Sequence, residues 1–164
     1  EISCSLVGSE MCIRDRDMYQ AVVSNLDEND VVIKSAAVAD YKPKEYSDKK
    51  IKKKDGDLVI ELDRNKDIAY EIGKIKKDKI LVGFAAETND IIENAKGKIA
   101  KKNMDFIVAN NLKESGAGFG TDTNVVSIIE KDGSMKKYPM MTKEEVASVI
   151  LDKIKVLLDE KSSL

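Results

Sequence analysis

The chain has no histidine and no tryptophan, and its only two cysteines, Cys4 and Cys12, fall within the first sixteen of its 164 residues. Without histidine there is no Ser-His type of triad. Residues 17 to 164 hold no thiol, so disulfide, thiolate-metal and cysteine-nucleophile chemistry is excluded from them. No apolar run approaches the roughly 20 residues that a membrane-spanning helix needs, and no secretory leader is evident, so the expected location is the cytoplasm. Charge of one sign is also missing. Twenty-eight basic residues against thirty acidic leave a net charge of -2, so no global field draws the chain to nucleic acid or a membrane, and any anion site must be local. There are only two prolines, no internal repeat and no Pro/Ser-rich linker. With 42% hydrophobic residues and this length, a single domain with a real core is expected.

What is present begins with Val31-Val32-Ile33, short and β-branched, which reads as a buried strand. It runs into Ser35-Ala36-Ala37-Val38-Ala39-Asp40-Tyr41-Lys42-Pro43, where small residues let a planar group lie against the backbone. Asp40 then stands beyond a strand's carboxyl end, where open α/β sheets bind ligands. Before this strand, Asp17 can cap a helix through Leu26, with Met18, Ala21, Val22 and Leu26 at helical spacing. The lysine run from Lys49 to Lys54, the turn Asp55-Gly56-Asp57 and the apolar Leu58 to Leu62 predict a strand-turn-strand flap. Further on, the pattern predicts a helix from Asp67 to about Lys76, a strand over Ile80 to Gly83, a helix from Asp90 to about Lys102 and a strand over Phe106 to Ala109. A hairpin around Asp132-Gly133 pairs residues 124–129 with 135–138, and Thr142 with Glu145 forms a capping box opening a last helix to about Leu158. Strands alternating with helices predict an α/β fold: a Rossmann-like parallel sheet flanked by helices, with a flap and a C-terminal β-hairpin extension.

Residues 1–16 do not follow this pattern. Their sequence resembles a translated adapter of the kind that contaminates the ends of assembled metagenomic reads, so the expected organisation is a non-native leader over 1–16 and one domain over 17–164.

The Ala36-to-Pro43 run, Lys50-Ile51-Lys52-Lys53, Asp67-Ile68, Gly83-Phe84-Ala85-Ala86-Glu87-Thr88, Lys98 to Lys102, Asp105 to Asn110 and Asp122-Thr123-Asn124 resemble, in order and spacing, one family. It is the phosphopantothenate-cysteine ligases, the synthetase half of the bifunctional bacterial coenzyme A biosynthesis flavoproteins. The resemblance implies ligation of 4'-phosphopantothenate to cysteine with CTP and Mg2+, through an acyl-cytidylate and with loss of pyrophosphate. It also implies a homodimer. FMN would be expected only where the flavin-dependent decarboxylase is fused upstream.

Carried over residue by residue, the resemblance makes Lys50 the catalytic cation at the phosphates and the reacting centre. It gives nucleotide or substrate contacts to Ala36, Ala37, Asp40, Lys66, Asp67, Ile68, Ala69, Phe84, Lys98 and Lys102. Physical chemistry suits those roles, because a departing pyrophosphate gains charge that ammonium groups stabilise. Lys98 and Lys102, at i and i+4, present two such groups from one helix face. Phe84 follows a strand and offers a ring to a base, while Gly83 lets backbone approach a ligand. The family usually has proline where Lys66 stands, which leaves a backbone contact there but weakens a side-chain one. Asn110 and Asn111 read more readily as a turn than as site residues.

The family also carries an upstream strand, a Gly-Gly-Thr loop and an asparagine that handles the acyl-cytidylate, none of which is found in this sequence. The expectation is therefore a ligase fragment of weak or no activity by itself. The alternative is a noncatalytic CTP-binding module of the same fold. A reductase is disfavoured, because no Gly-x-Gly-x-x-Gly turn follows the first strand.

Overall fold

A computed structural model of the chain describes residues 15–45, 47, 49, 50, 52, 57–87, 91–111 and 120–163. In chain order the elements are α1 (Asp15–Ser24), β1 (Val31–Lys34), β2 (Tyr41–Pro43), β3 (Leu62–Arg64), α2 (Ile68–Ile75), β4 (Ile80–Glu87) and α3 (Ile91–Lys102). They continue with β5 (Phe106–Asn111), β6 (Thr123–Asn124), β7 (Val126–Glu130), β8 (Met135–Lys137), β9 (Met141–Thr142) and α4 (Lys143–Ser162). The main sheet has the order β1-β4-β5-β7-β8. β1, β4 and β5 are parallel, and the hairpin β7-β8 adds antiparallel strands to β5. The sheet is thus mixed, with a parallel core in the expected α/β arrangement.

Alternation along the central strands sorts the core into two layers. Leu81 and Ala85 of β4 and Ile107 and Ala109 of β5 pack with Ile68, Ala69 and Ile72 of α2, Ala95 and Ile99 of α3, and partly buried residues of α1. Ile80 and Val82 with Phe106 and Val108 face the other way, onto Val146, Ile150 and Ile154 of α4. Both central strands are apolar on both faces because both faces are covered. Among the described residues, no helix is long and apolar enough to cross a membrane.

Several local expectations are corrected. Asp17 lies inside α1, which already begins at Asp15, so it is not the cap. β1 is only half-buried, with Ile33 exposed, because it sits at the sheet edge. Leu58 to Ile60 are exposed and outside any strand; the flap's paired base is instead Tyr41–Pro43 against Leu62–Arg64. The turn at Asp55-Gly56 lies outside the described residues, as do Thr88 and Asn89. The hairpin strands are Val126–Glu130 and Met135–Lys137, and Gly133, at φ 85°, supplies the left-handed turn position. The Thr142/Glu145 capping box is present, and α4 runs on to Ser162, four residues past the expected end.

Candidate functional site

The carboxyl ends of β1, β4 and β5 form a crest, and most of the candidate residues gather around it. The alanine loop leaves β1 there and is pinned by groups that sequence reasoning missed. Asn65 Nδ2 donates to the Ala39 carbonyl at 2.9 Å, and the Asn65 backbone N–H donates to the Asp40 carbonyl at 2.8 Å. Lys34 Nζ donates to the Ala36 carbonyl at 3.1 Å. The side chains of Ala36, Ala37 and Asp40 stay exposed, so the loop presents a fixed backbone to solvent.

Beside it, α2 starts at the N-cap Asp67, whose Oδ1 accepts from the Tyr70 backbone N–H at 3.1 Å. Its Oδ2 meets Lys102 Nζ at 2.8 Å. Burial pushes the Asp67 carboxyl up, but the hydrogen bonds from Lys102 and Tyr70, with the nearby Lys102 and Lys34 charges, outweigh it and hold the carboxyl below its ordinary value. Ile68 and Ala69 are core side chains at 2% and 1% exposure, so they can offer a ligand only backbone.

Lys102 reaches Asp67 because α2 and α3 approach closely at Gly73. A Cβ at that glycine would stand 1.9 Å from the Lys102 carbonyl oxygen, and Asn103 Nδ2 donates to the Gly73 carbonyl at 2.9 Å. Lys98 lies one turn earlier on α3 and is half-buried. Lys66 spreads its ammonium over the Tyr19 ring, 4.4 Å from the centroid.

Phe84 belongs to the opposite face of the sheet. It aligns with Val108, on the side that Ile80 and Val82 share with α4, and is 37% exposed. Two residues along the same face of β5 is Asn110, whose register partners are Ala86 and Val126. Its Oδ1 is buried and accepts no hydrogen bond, although the residue as a whole reaches the surface. The turn reading of Asn110 and Asn111 is overturned, since β5 extends through both. Gly83 does not admit a ligand either: a Cβ there would meet Met104 Sδ at 2.7 Å, so the thioether fills that space. Lys50 is exposed and lies outside β2 and β3.

Three groupings emerge: the clamped alanine loop, the Asp67–Lys102 pair with Lys98, and Phe84 with Asn110 across the sheet. A ligand lying over the crest would meet backbone, cations on one side, and a ring with an unsatisfied carboxamide on the other. Among the described residues no group of three or more acidic, cysteine or histidine side chains is arranged to hold a metal ion.

Residues 11–157 match the family described as DNA/pantothenate metabolism flavoprotein C-terminal domain. The coenzyme A biosynthesis bifunctional protein CoaBC of Bacillus subtilis (strain 168) is 53% identical over 141 residues, which is 86% of this chain and 35% of that protein. The crystal structure of a C-terminal domain of CoaBC superposes with a TM-score of 0.71 at 42% identity, covering 88% of this chain and 65% of that one. A Cab2 variant in complex with phosphopantothenate-cysteine shares the fold, with a TM-score of 0.65 at 15% identity over 90% of this chain and 53% of that one. The chain therefore spans about a third of the length of the curated relative it matches.

Proposed function

The chain belongs to the family of DNA/pantothenate metabolism flavoprotein C-terminal domains, and from that premise we propose that it serves the ligase reaction of coenzyme A biosynthesis. In this reading the chain takes CTP, 4'-phosphopantothenate and cysteine. The substrate carboxylate attacks the α-phosphorus of CTP, the bond to the β-phosphate breaks and pyrophosphate leaves; the cysteine amine then attacks the acyl carbon and displaces CMP. The domain relationship to CoaBC supports the ligase assignment, and the Cab2 complex supports phosphopantothenoyl chemistry on this fold.

The observation that carries the nucleotide reading is the orphaned Asn110 Oδ1, on the same sheet face as Phe84 and two positions further along. A buried acceptor without a partner costs about 1–3 kcal/mol, which a donor on a ligand would relieve. A pyrimidine with an exocyclic amine, stacked on Phe84, would supply that donor. On the other side of the crest Lys102 and Lys98 would face the triphosphate, with the backbone at Lys66, Asp67, Ile68 and Ala69 beside them. Asp40 would bind CTP, Ala36 and Ala37 would present backbone to the substrate and the nucleotide, and Lys50 would reach the phosphates from the flap. Magnesium would enter with the nucleotide as counter-ion of its phosphates, a binding mode that needs few protein ligands. Flavin has no assigned place among these residues. A homodimer in the cytoplasm completes the proposal.

Its test is nucleotide binding by calorimetry. CTP should bind more tightly than UTP, and Phe84→Ala and Asn110→Ala should each weaken CTP severalfold. Equal binding of CTP and UTP, or variants that bind CTP as the parent does, would remove the base-reading role.

A further inference from the structure

We infer that Asn103 is a positioning residue, which fixes the spacing of α2 and α3 at which Lys102 meets Asp67; the inference rests on the ligase reading for its ligand. α3 ends in a left-handed turn at Asn103, φ 49°, after which the Met104 N–H donates back to the Ile99 carbonyl at 3.1 Å. That is a Schellman-type helix end, which glycine fills with least strain and asparagine also tolerates. The turn by itself therefore does not call for a carboxamide.

The carboxamide serves the neighbouring helix instead. Its Nδ2 donates to the Gly73 carbonyl at 2.9 Å, 30 residues earlier in the chain. Gly73 lies in the last turn of α2, where helix carbonyls run out of intrahelical donors. Asn103 thus closes α3 with its backbone and completes α2 with its side chain. The space a side chain on Gly73 would need is taken by the Lys102 carbonyl, so the two helices meet there backbone to backbone.

The consequence falls on Lys102, the residue before Asn103. Its ammonium meets Asp67 Oδ2 at 2.8 Å, at the opposite end of α2, and Asp67 is itself fixed by the Tyr70 N–H. The pair keeps that length only while the two helices keep their register. Without the Asn103 bond the last turn of α3 is free to slide along α2, and Lys102 loses its fixed place.

The experiment compares the 164-residue chain with Asn103→Gly, which keeps the turn and removes only the carboxamide. The melting temperature should stay close to that of the parent. Carboxyl 13C shifts followed against pH report on Asp67 without any ligand. Burial pushes that carboxyl up, while hydrogen bonds from Lys102 and Tyr70 and the charges of Lys102 and Lys34 hold it below its ordinary 3.8. Freeing Lys102 should raise it towards that value. By calorimetry, the advantage of CTP over cytidine should fall by about threefold or more, the scale of one hydrogen bond. The same substitution in Lys102→Gln should add no further loss, because Asn103 acts through Lys102.

An Asp67 titration unchanged by Asn103→Gly, an undiminished CTP advantage, or a loss that adds in full to that of Lys102→Gln overturns the inference. So does a large fall in melting temperature, which makes the residue structural only. A parent chain with no preference for CTP over cytidine removes the ligase reading instead, and the Asp67 titration then decides the helix clamp alone.

Discussion

At the scale of single residues, the account turns on polar groups whose partners explain what they do. Asn110 is the opposite case, a carboxamide oxygen buried without a donor. Asn110→Ala should leave thermal stability unchanged or slightly raised, because it removes an unsatisfied group, while weakening CTP by about fivefold, or about 1 kcal/mol. A melting scan beside a titration separates the two effects; a large drop in stability would mark the residue as purely structural. Asp67 works through two bonds, capping α2 and holding Lys102. Asp67→Ala should cost about 1 kcal/mol by chemical denaturation, chiefly from the lost cap, since its ion pair is partly exposed. The i, i+4 relation of Lys98 and Lys102 was legible in the sequence because side-chain spacing encodes it. The work of Asn65 and Lys34 was not, because both act on backbone carbonyls of the alanine loop, which leave no trace in residue type.

At the scale of elements, two glycines predict different costs. Gly73 lies against the backbone of Lys102, which cannot yield without moving α3, so Gly73→Ala should destabilise by about 1–3 kcal/mol and loosen the Asp67–Lys102 pair. Gly83 is crowded by the flexible end of Met104, with Ile107 at an ordinary contact distance, so Gly83→Ala should cost less. Denaturation midpoints of the two variants check the order, and the reverse order would contradict the packing described. Helix α2 was placed nearly residue by residue, since a cap and a 3.6-residue period agree there. The flap was not, because an apolar run such as Leu58 to Leu62 signals a strand only when a partner covers it, and these side chains are exposed. The edge position of β1 was equally hidden: its residues suit burial, and only sheet order decides how much they receive.

At the scale of the whole molecule, one buried charge cluster ties the elements together at the end opposite the crest. Lys76, at the end of α2 and 3% exposed, meets Asp105 Oδ2 at 2.7 Å, and the same oxygen accepts from the Leu81 N–H at 2.8 Å. Lys131, beside the hairpin turn, lies 3.5 Å from the other oxygen. Burial raises the Asp105 carboxyl, but hydrogen bonds from Lys76 and Leu81 and the charges of Lys76 and Lys131 hold it below its ordinary 3.8. For Lys76, burial outweighs Asp105 and lowers the ammonium.

The sign for Asp105 follows from linkage. Near and below pH 3.8 the unfolded chain takes up the proton first, so the stabilisation is full above that value and is lost as pH falls through the lower folded one. Urea midpoints between pH 5 and 2 should fall accordingly. Asp105→Asn should flatten that slope and cost about 3 kcal/mol at neutral pH, because Lys76 is left buried without its partner. The alternation of elements made the α/β fold readable from sequence, and with it the crest at the carboxyl ends of its parallel strands. The division of that crest between two sheet faces was not, because it depends on the register of β4 with β5.

The most direct test of the central claim is a 15N-resolved titration of the chain with CTP, using UTP as control. The account predicts saturable CTP shifts on both sides of the crest, at Phe84 and Asn110 and at Asp67, Lys98 and Lys102, with a weaker response to UTP. The absence of CTP binding, or shifts confined to residues away from the crest, would contradict it.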